Sequence, residues 1–172
     1  SVAFLARYLK TGMPLTQKRI TVDGAAVAHP QNVFVPIGTS VHDVLEFCGG
    51  YSTPPAKLLL GGPMMGTALR DDHVPVMKQS NAVLALSAAE AAPHPQSNCI
   101  RCGRCVSACP MRLMPTALER ASAARDVPEL LRLNVKTCME CGSCAFECPA
   151  GRPLVQAIRL GKTLVNQRRN QG

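Results

Sequence analysis

The sequence predicts an α+β protein in two parts, a strand-rich first half and a second half of short helices around a ladder of cysteines. Three observations support this prediction. Several short segments before residue 90 alternate apolar and polar residues, which is typical of half-buried strands. Eight of the nine cysteines lie between positions 99 and 148. The segments between and after those cysteines have apolar residues at helical spacing instead.

The first half contains the signals of two helices and five strands. Residues 1–15 are predicted to form a short helix that ends at Gly12, and residues 40–50 a second helix capped by Ser40. The predicted strands are "KRITVDG" (18–24), "NVFVPIGTS" (32–40), "AKLLLGG" (56–62), "HVPVMK" (73–78) and "NAVLALS" (81–87). Strands, a helix and further strands within about 70 residues favour a small α+β domain of the β-grasp type.

Three residues or segments of this half and its linker have competing interpretations. Cys48 stands apart from the other cysteines on the apolar face of the second helix, and we predict that it is a core side chain. The loop "GGPMMG" (61–66) lacks the Lys-Ser/Thr of a phosphate-binding loop, so a ligand or partner loop and a tight structural turn both stay open. His94 lies between two prolines, where an exposed linker histidine is favoured over one that tunes a nearby metal cluster.

The cysteines of the second half form one pattern that occurs twice. The first set is Cys99, Cys102, Cys105 and Cys109, followed by Pro110, and the second is Cys138, Cys141, Cys144 and Cys148, followed by Pro149. Each cysteine of the second set lies 39 positions beyond its counterpart, and Gly103 and Gly142 match at the same offset. The sequence therefore contains an internal repeat of C-x2-C-x2-C-x3-C-P.

Three cysteines at this spacing can surround one iron–sulfur cubane, while the fourth belongs to the other cluster in two-cluster ferredoxins. We therefore predict one [4Fe–4S] cluster held by Cys99, Cys102, Cys105 and Cys148, and a second held by Cys138, Cys141, Cys144 and Cys109. The two matched glycines are predicted to let backbone amides approach cluster sulfide. Paired zinc sites have no use for the C-x3-C-P ending, and no secretion pattern accompanies the cysteines to favour disulfides.

The rest of the second half is predicted to be helical and basic. "PTALERA" (115–121) has Thr116 and Glu119 at the spacing of a capping box, and in "DVPELLRL" (126–133) Asp126 is the predicted N-cap. A longer helix follows the second ladder, with basic residues that are expected to be solvated: Arg152, Arg159, Lys162, Arg168 and Arg169.

The net charge of +8 is unevenly placed, because residues 1–100 carry +1 and residues 101–172 carry +7. A basic half suits nucleic acid, an acidic partner or anionic lipid, and it would also offset the negative charge of metal–thiolate clusters. The chain has no Trp, two Tyr and four Phe, so stacking on single-stranded bases is not expected. No apolar run approaches the roughly 18–20 residues that cross a bilayer.

The order of these parts resembles the C-terminal part of the C subunit of the Rnf electron-transport complex. The stretches that carry the resemblance are "RITVDG", "NVFVPIGTSV", "LEFCGGY", "LLLGGPMMG", "NCIRCGRCVSACPMRLMP" and "CMECGSCAFECPAGRPLVQ". The ladder alone is common to many ferredoxins, whereas "GGPMMG" followed by "CIRCGRCVSACPM" is much more particular to this family.

The resemblance implies a domain order. Residues 1–17 would end a missing flavin and NADH domain, residues 18–90 would form a β-grasp domain of the soluble ligand-binding (SLBB) kind, and residues 91–98 a linker. Residues 99–172 would then form a mainly α-helical ferredoxin module with two [4Fe–4S] clusters. FMN and NADH would bind only in the missing domain, and no residue here is assigned a catalytic role.

The resemblance also implies a setting. The chain would belong to an oxidoreductase that couples electron flow between ferredoxin and NAD to ion movement, peripheral on the cytoplasmic side of the bacterial inner membrane. Its partners would be the other subunits, with ferredoxin or flavodoxin as further candidates and no nucleic acid. Two alternatives stay open, a cobalamin reductase of bacterial microcompartments with the same domain order, and a ligand-binding module that uses the clusters as a redox sensor.

Overall fold

The structure, a computed structural model, describes residues 2–92 and 95–170. The chain divides into two compact units, residues 1–92 and residues 93–172. The first unit contains a mixed sheet, and the described part of the second unit is helical, as the α+β prediction requires.

The sheet of the first unit has five strands in the order β2-β1-β5-β3-β4. The strands are β1 Gln17–Asp23, β2 Gln31–Pro36, β3 Lys57–Leu60, β4 Thr67–Leu69 and β5 Ala82–Leu86. The β1 and β5 strands run parallel, and the other neighbouring pairs are antiparallel. Four of the five predicted strands are therefore confirmed, while β4 was missed because three residues are too few to establish an alternation.

One face of this sheet is buried beneath a helix. In β1 the alternation places Ile20 and Val22 in the core and leaves Thr21, between them, exposed. The covering helix, α2 (Val41–Phe47), contributes Val44 and Leu45 to the same core. Cys48 follows that helix and is fully buried, so its prediction as a core side chain is confirmed. Burial also raises the pKa of its thiol.

The predicted strand at 73–78 is wrong. Apart from an isolated bridge between Ser40 and Pro75, these residues are not paired in the sheet. The segment instead crosses the start of α2, where the backbone N–H of Val41 donates to the carbonyl of Val74 at 2.9 Å. The first N–H groups of a helix lack intrahelical partners, and this segment supplies acceptors for them.

A small polar cluster holds this crossing segment in place. Ser40 caps α2 as predicted, its side chain accepting from the N–H of His42 at 3.1 Å. Asp72 Oδ2 lies 3.0 Å from His42 Nδ1 and accepts a hydrogen bond from the Tyr51 hydroxyl at 2.9 Å. The hydrogen bond to Asp72 raises the pKa of His42, and the same bond lowers the pKa of Asp72.

This pairing predicts a defined pH dependence. The contribution of His42 is present below its unfolded-state pKa and is lost as pH rises through the raised folded value. The contribution of Asp72 is lost as pH falls through its lowered folded value, so the pair stabilises most between about pH 4 and pH 6.5. In an NMR titration the His42 imidazole should titrate above 6.5. Asp72→Asn should return the midpoint toward 6.5, and an unchanged midpoint in that variant would contradict the pairing.

The remaining elements are helices. Two lie in the first unit, α1 (Val2–Thr11) and α3 (Ala88–Ala91). Those of the second unit are α4 Arg104–Ser107, α5 Pro115–Ala123, α6 Val127–Arg132, a 3-10 turn at Val135–Thr137, α7 Ser143–Phe146 and α8 Leu154–Asn170. The predicted helices in this part of the chain are thus present.

The predicted start signals of α5 and α6 had different outcomes. Asp126 caps α6 as predicted, because its Oδ1 accepts from the backbone N–H of Glu129 at 3.0 Å. The capping box predicted for Thr116 and Glu119 is wrong, since α5 has Met114 at its N-cap position and no side-chain capping bond. Glu119 is instead buried inside the unit.

The second unit is organised by the packing of α5 against α8. Leu118 and Ile158 lie in one buried cluster with Leu130 of α6. At the crossing, a Cβ added to Gly161 would lie 2.5 Å from Ser122 Oγ and 3.0 Å from a methyl carbon of Leu130. The two helices therefore approach too closely at this point for any side chain larger than hydrogen.

Gly161→Ala tests this close approach. Alanine favours a helix over glycine by up to about 1 kcal/mol, whereas overpacking a tight contact costs roughly 1–3 kcal/mol. We expect the contact to dominate and the free energy of unfolding in urea to fall by about 1–2 kcal/mol. Adding Ser122→Ala, which removes the nearer atom, should recover part of the loss. A more stable single variant would show that α8 shifts freely against α5.

Candidate metal centre

The two cysteine ladders follow the same backbone path as well as the same spacing. Three pairs of residues separated by the repeat offset have left-handed backbone, which is uncommon for residues other than glycine. The pairs are Arg101 and Glu140 (φ 57° and 57°), Gly103 and Gly142 (78° and 88°), and Arg112 and Gly151 (52° and 59°). The internal repeat read from the cysteine spacing is therefore a repeat of structure.

In each ladder a short helix positions the third cysteine. Gly103 precedes α4 and Gly142 precedes α7, and their positive φ turns the chain into the helix. Cys105 and Cys144 lie in these helices and are each only 8% exposed. They belong to one apolar cluster with Leu154 and Val155 of α8. The third cysteines of both ladders therefore pack into the same apolar cluster.

The first cavity of this unit contains thiols from both ladders. It has a volume of about 650 Å³, and its lining includes Thr116, Glu119 and Arg152. The cysteines that line it are Cys99, Cys102, Cys105 and Cys148. The structure thus brings the fourth cysteine of the second ladder to the first three of the other.

The second cavity has the complementary set. It is narrow, about 20 Å³, and it is largely apolar, with Leu113, Val155 and Ile158 in its lining. The cysteines that line it are Cys109, Cys138, Cys141 and Cys144. The cavity linings thereby divide the eight cysteines into two sets of four, and each set includes one cysteine from the other ladder.

The chemistry of these groups fits an iron–sulfur cluster. Thiolates are the soft ligands that such clusters use, and each group offers four of them. Burial and then the neighbouring Cys138 raise the pKa of Cys144 to about 11, so a positive centre is needed to hold this side chain as a thiolate. Within residues 2–92 and 95–170, no three ligating side chains converge as closely as a single metal ion requires. For the second cavity, the match to an iron–sulfur cluster rests on its four cysteines and not on its volume.

Two backbone N–H groups donate to sulfur in the second group. The backbone N–H of Leu113 donates to Cys109 Sγ at 3.3 Å, and that of Glu140 donates to Cys138 Sγ at 3.4 Å. Cys141 Sγ donates to the hydroxyl oxygen of Ser143 at 3.5 Å, and hydrogen bonding with Ser143 lowers the pKa of Cys141. Hydrogen bonds to ligand sulfur are one of the means by which a protein sets a cluster potential.

A buried ion pair supports the first cavity. Arg152 Nη2 lies 2.6 Å from Glu119 Oε1, its Nε lies 2.9 Å from both carboxylate oxygens, and Glu119 is only 8% exposed. Arg152 Nη1 also donates to the carbonyl of Ser97 at 3.4 Å, which ties the chain before Cys99 to α5. The expectation that Arg152 is solvated is therefore wrong, and the sequence offered no signal for this partner 33 residues away.

Two basic residues of α8 that were also expected to be solvated pair with Glu140 instead. Arg159 Nε lies 2.8 Å from Glu140 Oε2, and Lys162 Nζ lies 2.6 Å from Glu140 Oε1. The two cations lower the pKa of Glu140, with Lys162 the larger influence. Arg168 is exposed as expected, the side chain of Arg169 lies outside the described part, and so does His94.

The loop "GGPMMG" is a tight structural turn. A Cβ on Gly66 would lie 2.5 Å from the carbonyl oxygen of Gly62, and one on Gly61 would lie 2.9 Å from the Cα of Gly66. Gly61 also has a φ of +111°, which other residues rarely adopt. This close approach explains Gly61 and Gly66, and the exposed Met64 and Met65 lie between them.

Comparison with known proteins agrees with this arrangement. Residues 19–68 match the SLBB domain, and residues 98–152 match the 4Fe-4S dicluster domain. The dicluster match covers all eight cysteines of the ladders, so iron–sulfur clusters are the metal centre that this donor set serves.

Relatives extend the match to nearly the whole chain. The C subunit of the ion-translocating oxidoreductase complex of Rhodobacter capsulatus is 40% identical over 163 residues, which is 95% of this chain and 31% of that protein. The C subunit of the Na(+)-translocating ferredoxin:NAD(+) oxidoreductase complex of Acetobacterium woodii is 37% identical over 172 residues, which is 100% of this chain and 39% of that protein. The chain is a homologue of these C subunits. It spans about a third of the length of these relatives.

A further C subunit comes from a complex named as proton-translocating. The C subunit of the ferredoxin:NAD(+) oxidoreductase complex of Clostridium ljungdahlii is 43% identical over 111 residues, 64% of this chain and 24% of that protein. Within residues 2–92 and 95–170 of the present chain, no helix is both long enough and apolar enough to cross a membrane.

Glu119→Ala tests the buried ion pair. The change leaves Arg152 beside the thiol cavity without its carboxylate and frees the chain at Ser97, and the loss of such buried partners is costly. We expect the melting temperature to fall by about 5 °C or more. Glu129→Ala is the matched control, because it removes an exposed Glu–Arg pair (Glu129–Arg132) from the same unit and should change little. Equal decreases in melting temperature in the two variants would mean that the buried pair stabilises the unit no more than the exposed pair does.

Proposed function

We propose that this chain is an electron-transfer part of an Rnf-type, ion-translocating ferredoxin:NAD oxidoreductase complex. The observation that carries the proposal is the exchange of Cys109 and Cys148 between the ladders, which groups eight thiols around two adjacent cavities. When bound, two [4Fe–4S] clusters would supply one-electron transfer at low potential.

The cavity linings support a set of four ligands for each cluster. The first cluster would be held by Cys99, Cys102, Cys105 and Cys148, and the second by Cys109, Cys138, Cys141 and Cys144. Gly103 lines the first cavity, and no other atom lies within 4 Å of where its Cβ would be, so its backbone can face a bound cluster closely. Gly142 lines the second cavity in the equivalent place.

The chain's own residues keep the two sites close and shielded. Cys105 and Cys144 share an apolar cluster with Leu154 and Val155. Apolar surroundings suit electron movement between two centres, because little solvent has to reorganise. Cys99 and Cys102, which also line the first cavity, are exposed.

We also propose the domain organisation that the sequence suggested. The strand order β2-β1-β5-β3-β4, with only the central β1–β5 pair parallel, supports a β-grasp domain within residues 18–90. Residues 91–98 would link it to a mainly α-helical ferredoxin module over 99–172. Residues 1–17 would end a flavin and NADH domain, so that FMN and NADH bind upstream of this chain.

The wider setting is proposed from the names of the relatives. They are subunits of ion-translocating complexes that act on ferredoxin and NAD(+). Other subunits of such a complex would therefore be the partners, with ferredoxin or flavodoxin as candidate electron carriers. The chain would lie peripherally on the cytoplasmic side of a bacterial inner membrane.

Paired cysteine variants test both the cofactor and the exchange. Anaerobically prepared protein should contain about eight iron and eight sulfide per chain and give EPR signals from two interacting centres after dithionite reduction. Because Cys105 and Cys148 line one cavity, Cys105→Ala/Cys148→Ala should keep about four irons. Cys105→Ala/Cys109→Ala should lose both clusters.

Uncrossed ligation would give the reverse result in these two double variants. Cys48→Ala is the control, because Cys48 is buried in the first unit and should leave the iron content unchanged. Protein that contains zinc or no metal after anaerobic reconstitution would end the electron-transfer proposal.

A further inference from the structure

The surroundings of the two thiol cavities differ although their ligands match. Arginines line the first cavity, namely Arg101, Arg120 and Arg152, and one acidic residue, Glu119, is among them. Among the described residues the second cavity is lined by one charged residue, Glu140, and by no cation. The repeat places Glu140 where the first ladder has Arg101, so the charge is reversed at equivalent positions.

The basic side chains that contact Glu140 of the second cavity are ion-paired, whereas two of the arginines that line the first cavity are not. Glu140 is held by Arg159 and Lys162, and Arg152 is held by Glu119. Arg101 and Arg120 are exposed, and no acidic side chain within residues 2–92 and 95–170 pairs with either. These two arginines therefore present positive charge to whatever approaches the first cavity.

Apolar side chains accompany these arginines. Ile100 is 66% exposed and Val106 is 38% exposed, and both line the first cavity. We call Ile100, Arg101, Val106 and Arg120 the rim of the first cavity. Arginine together with exposed apolar side chains is typical of protein interfaces.

We propose that this rim is the docking surface for an acidic electron-carrier protein, so that the first cluster is where electrons enter or leave the chain. The inference rests on the proposed function and adds which of the two sites faces the partner. An acidic patch around the carrier's redox centre would complement the rim and steer the encounter, which can raise association rates by roughly 10–1,000-fold at low salt. The exposed thiols Cys99 and Cys102 lie at this surface.

The competing explanation is that the rim only offsets the negative charge of the bound cluster. If the rim only compensates charge, removing its arginines would change the cluster potential and would not change the rate of association with a protein. If the rim is a docking surface, removing them would lower the rate of electron transfer with a protein partner. Arg101 and Arg120 are exposed, and solvent weakens the influence of exposed charges on a neighbouring centre. The two explanations therefore predict different measurements.

The test is stopped-flow electron transfer from a dithionite-reduced, acidic two-cluster ferredoxin to the cluster-loaded chain. The variant is Arg101→Gln/Arg120→Gln. The matched control is Arg125→Gln/Arg168→Gln, which removes two exposed arginines that line neither cavity. Iron content, EPR and the potential of each cluster are measured on all three proteins.

We expect the second-order rate constant at low salt to fall roughly tenfold in the rim variant and less than twofold in the control. The native rate should fall steeply with added salt, and the rim variant's should not. Reduction by a small neutral donor, photoreduced deazaflavin, should be equally fast in all three proteins.

Equal rates with ferredoxin in the rim variant and the control would overturn the proposal. So would a lowered potential that slows the neutral donor to the same extent, because that result is charge compensation. Tighter binding of a single-stranded RNA or of anionic vesicles than of ferredoxin, with the same dependence on Arg101 and Arg120, would assign the rim to another class of partner. A chain without iron, or one that no donor reduces, would instead refute the proposed function.

Discussion

The exchange of one cysteine between the two ladders is the constraint on which the second unit depends. Cys148 reaches the first cavity and Cys109 the second, so neither group of four is complete until both ladders are folded against each other. The backbone meets this requirement by repeating itself, with left-handed residues at matched positions and a short helix behind each third cysteine. The helices that flank the second ladder, α5 and α8, pack closely against each other, because a Cβ on Gly161 would lie 2.5 Å from Ser122 Oγ.

The sequence predicted the features that depend on local chemistry. Alternation identified β1, the N-caps Ser40 and Asp126 accept the hydrogen bonds expected of them, and the cysteine spacing anticipated which thiols share a cavity. The wrong predictions have non-local causes. Residues 73–78 alternate like a strand but supply acceptors to the start of α2, and Glu119 has the spacing of a capping residue but pairs with Arg152. A pattern along the chain cannot reveal a partner that folding brings from 30 or more residues away.

In the first unit, a tight glycine turn and the small polar cluster around Asp72 hold the loops around the sheet. In "GGPMMG" Gly61 and Gly66 are required because they approach closely, so the structural-turn interpretation that the sequence left open has a direct cause. Asp72 joins His42 of α2 to Tyr51, and thereby connects the crossing segment to two other parts of the unit. Sequence reasoning missed this cluster because its three members are scattered over 30 positions and have no spacing of their own.

The internal repeat explains why both cavities are lined by four cysteines. The residues that differ between the two repeats explain why the charges around the cavities differ. The cysteines and Gly103 with Gly142 are the parts that ligation and backbone geometry constrain, and they match across the repeat. Residues beside them are free to change, and there the charge reverses from Arg101 to Glu140. Glu140 is neutralised within the unit by Arg159 and Lys162, whereas Arg101 and Arg120 face outward. Two centres with the same ligands but opposite surroundings cannot be equivalent to an approaching charged protein, so a repeat that is symmetric in its chemistry becomes directional at its surface.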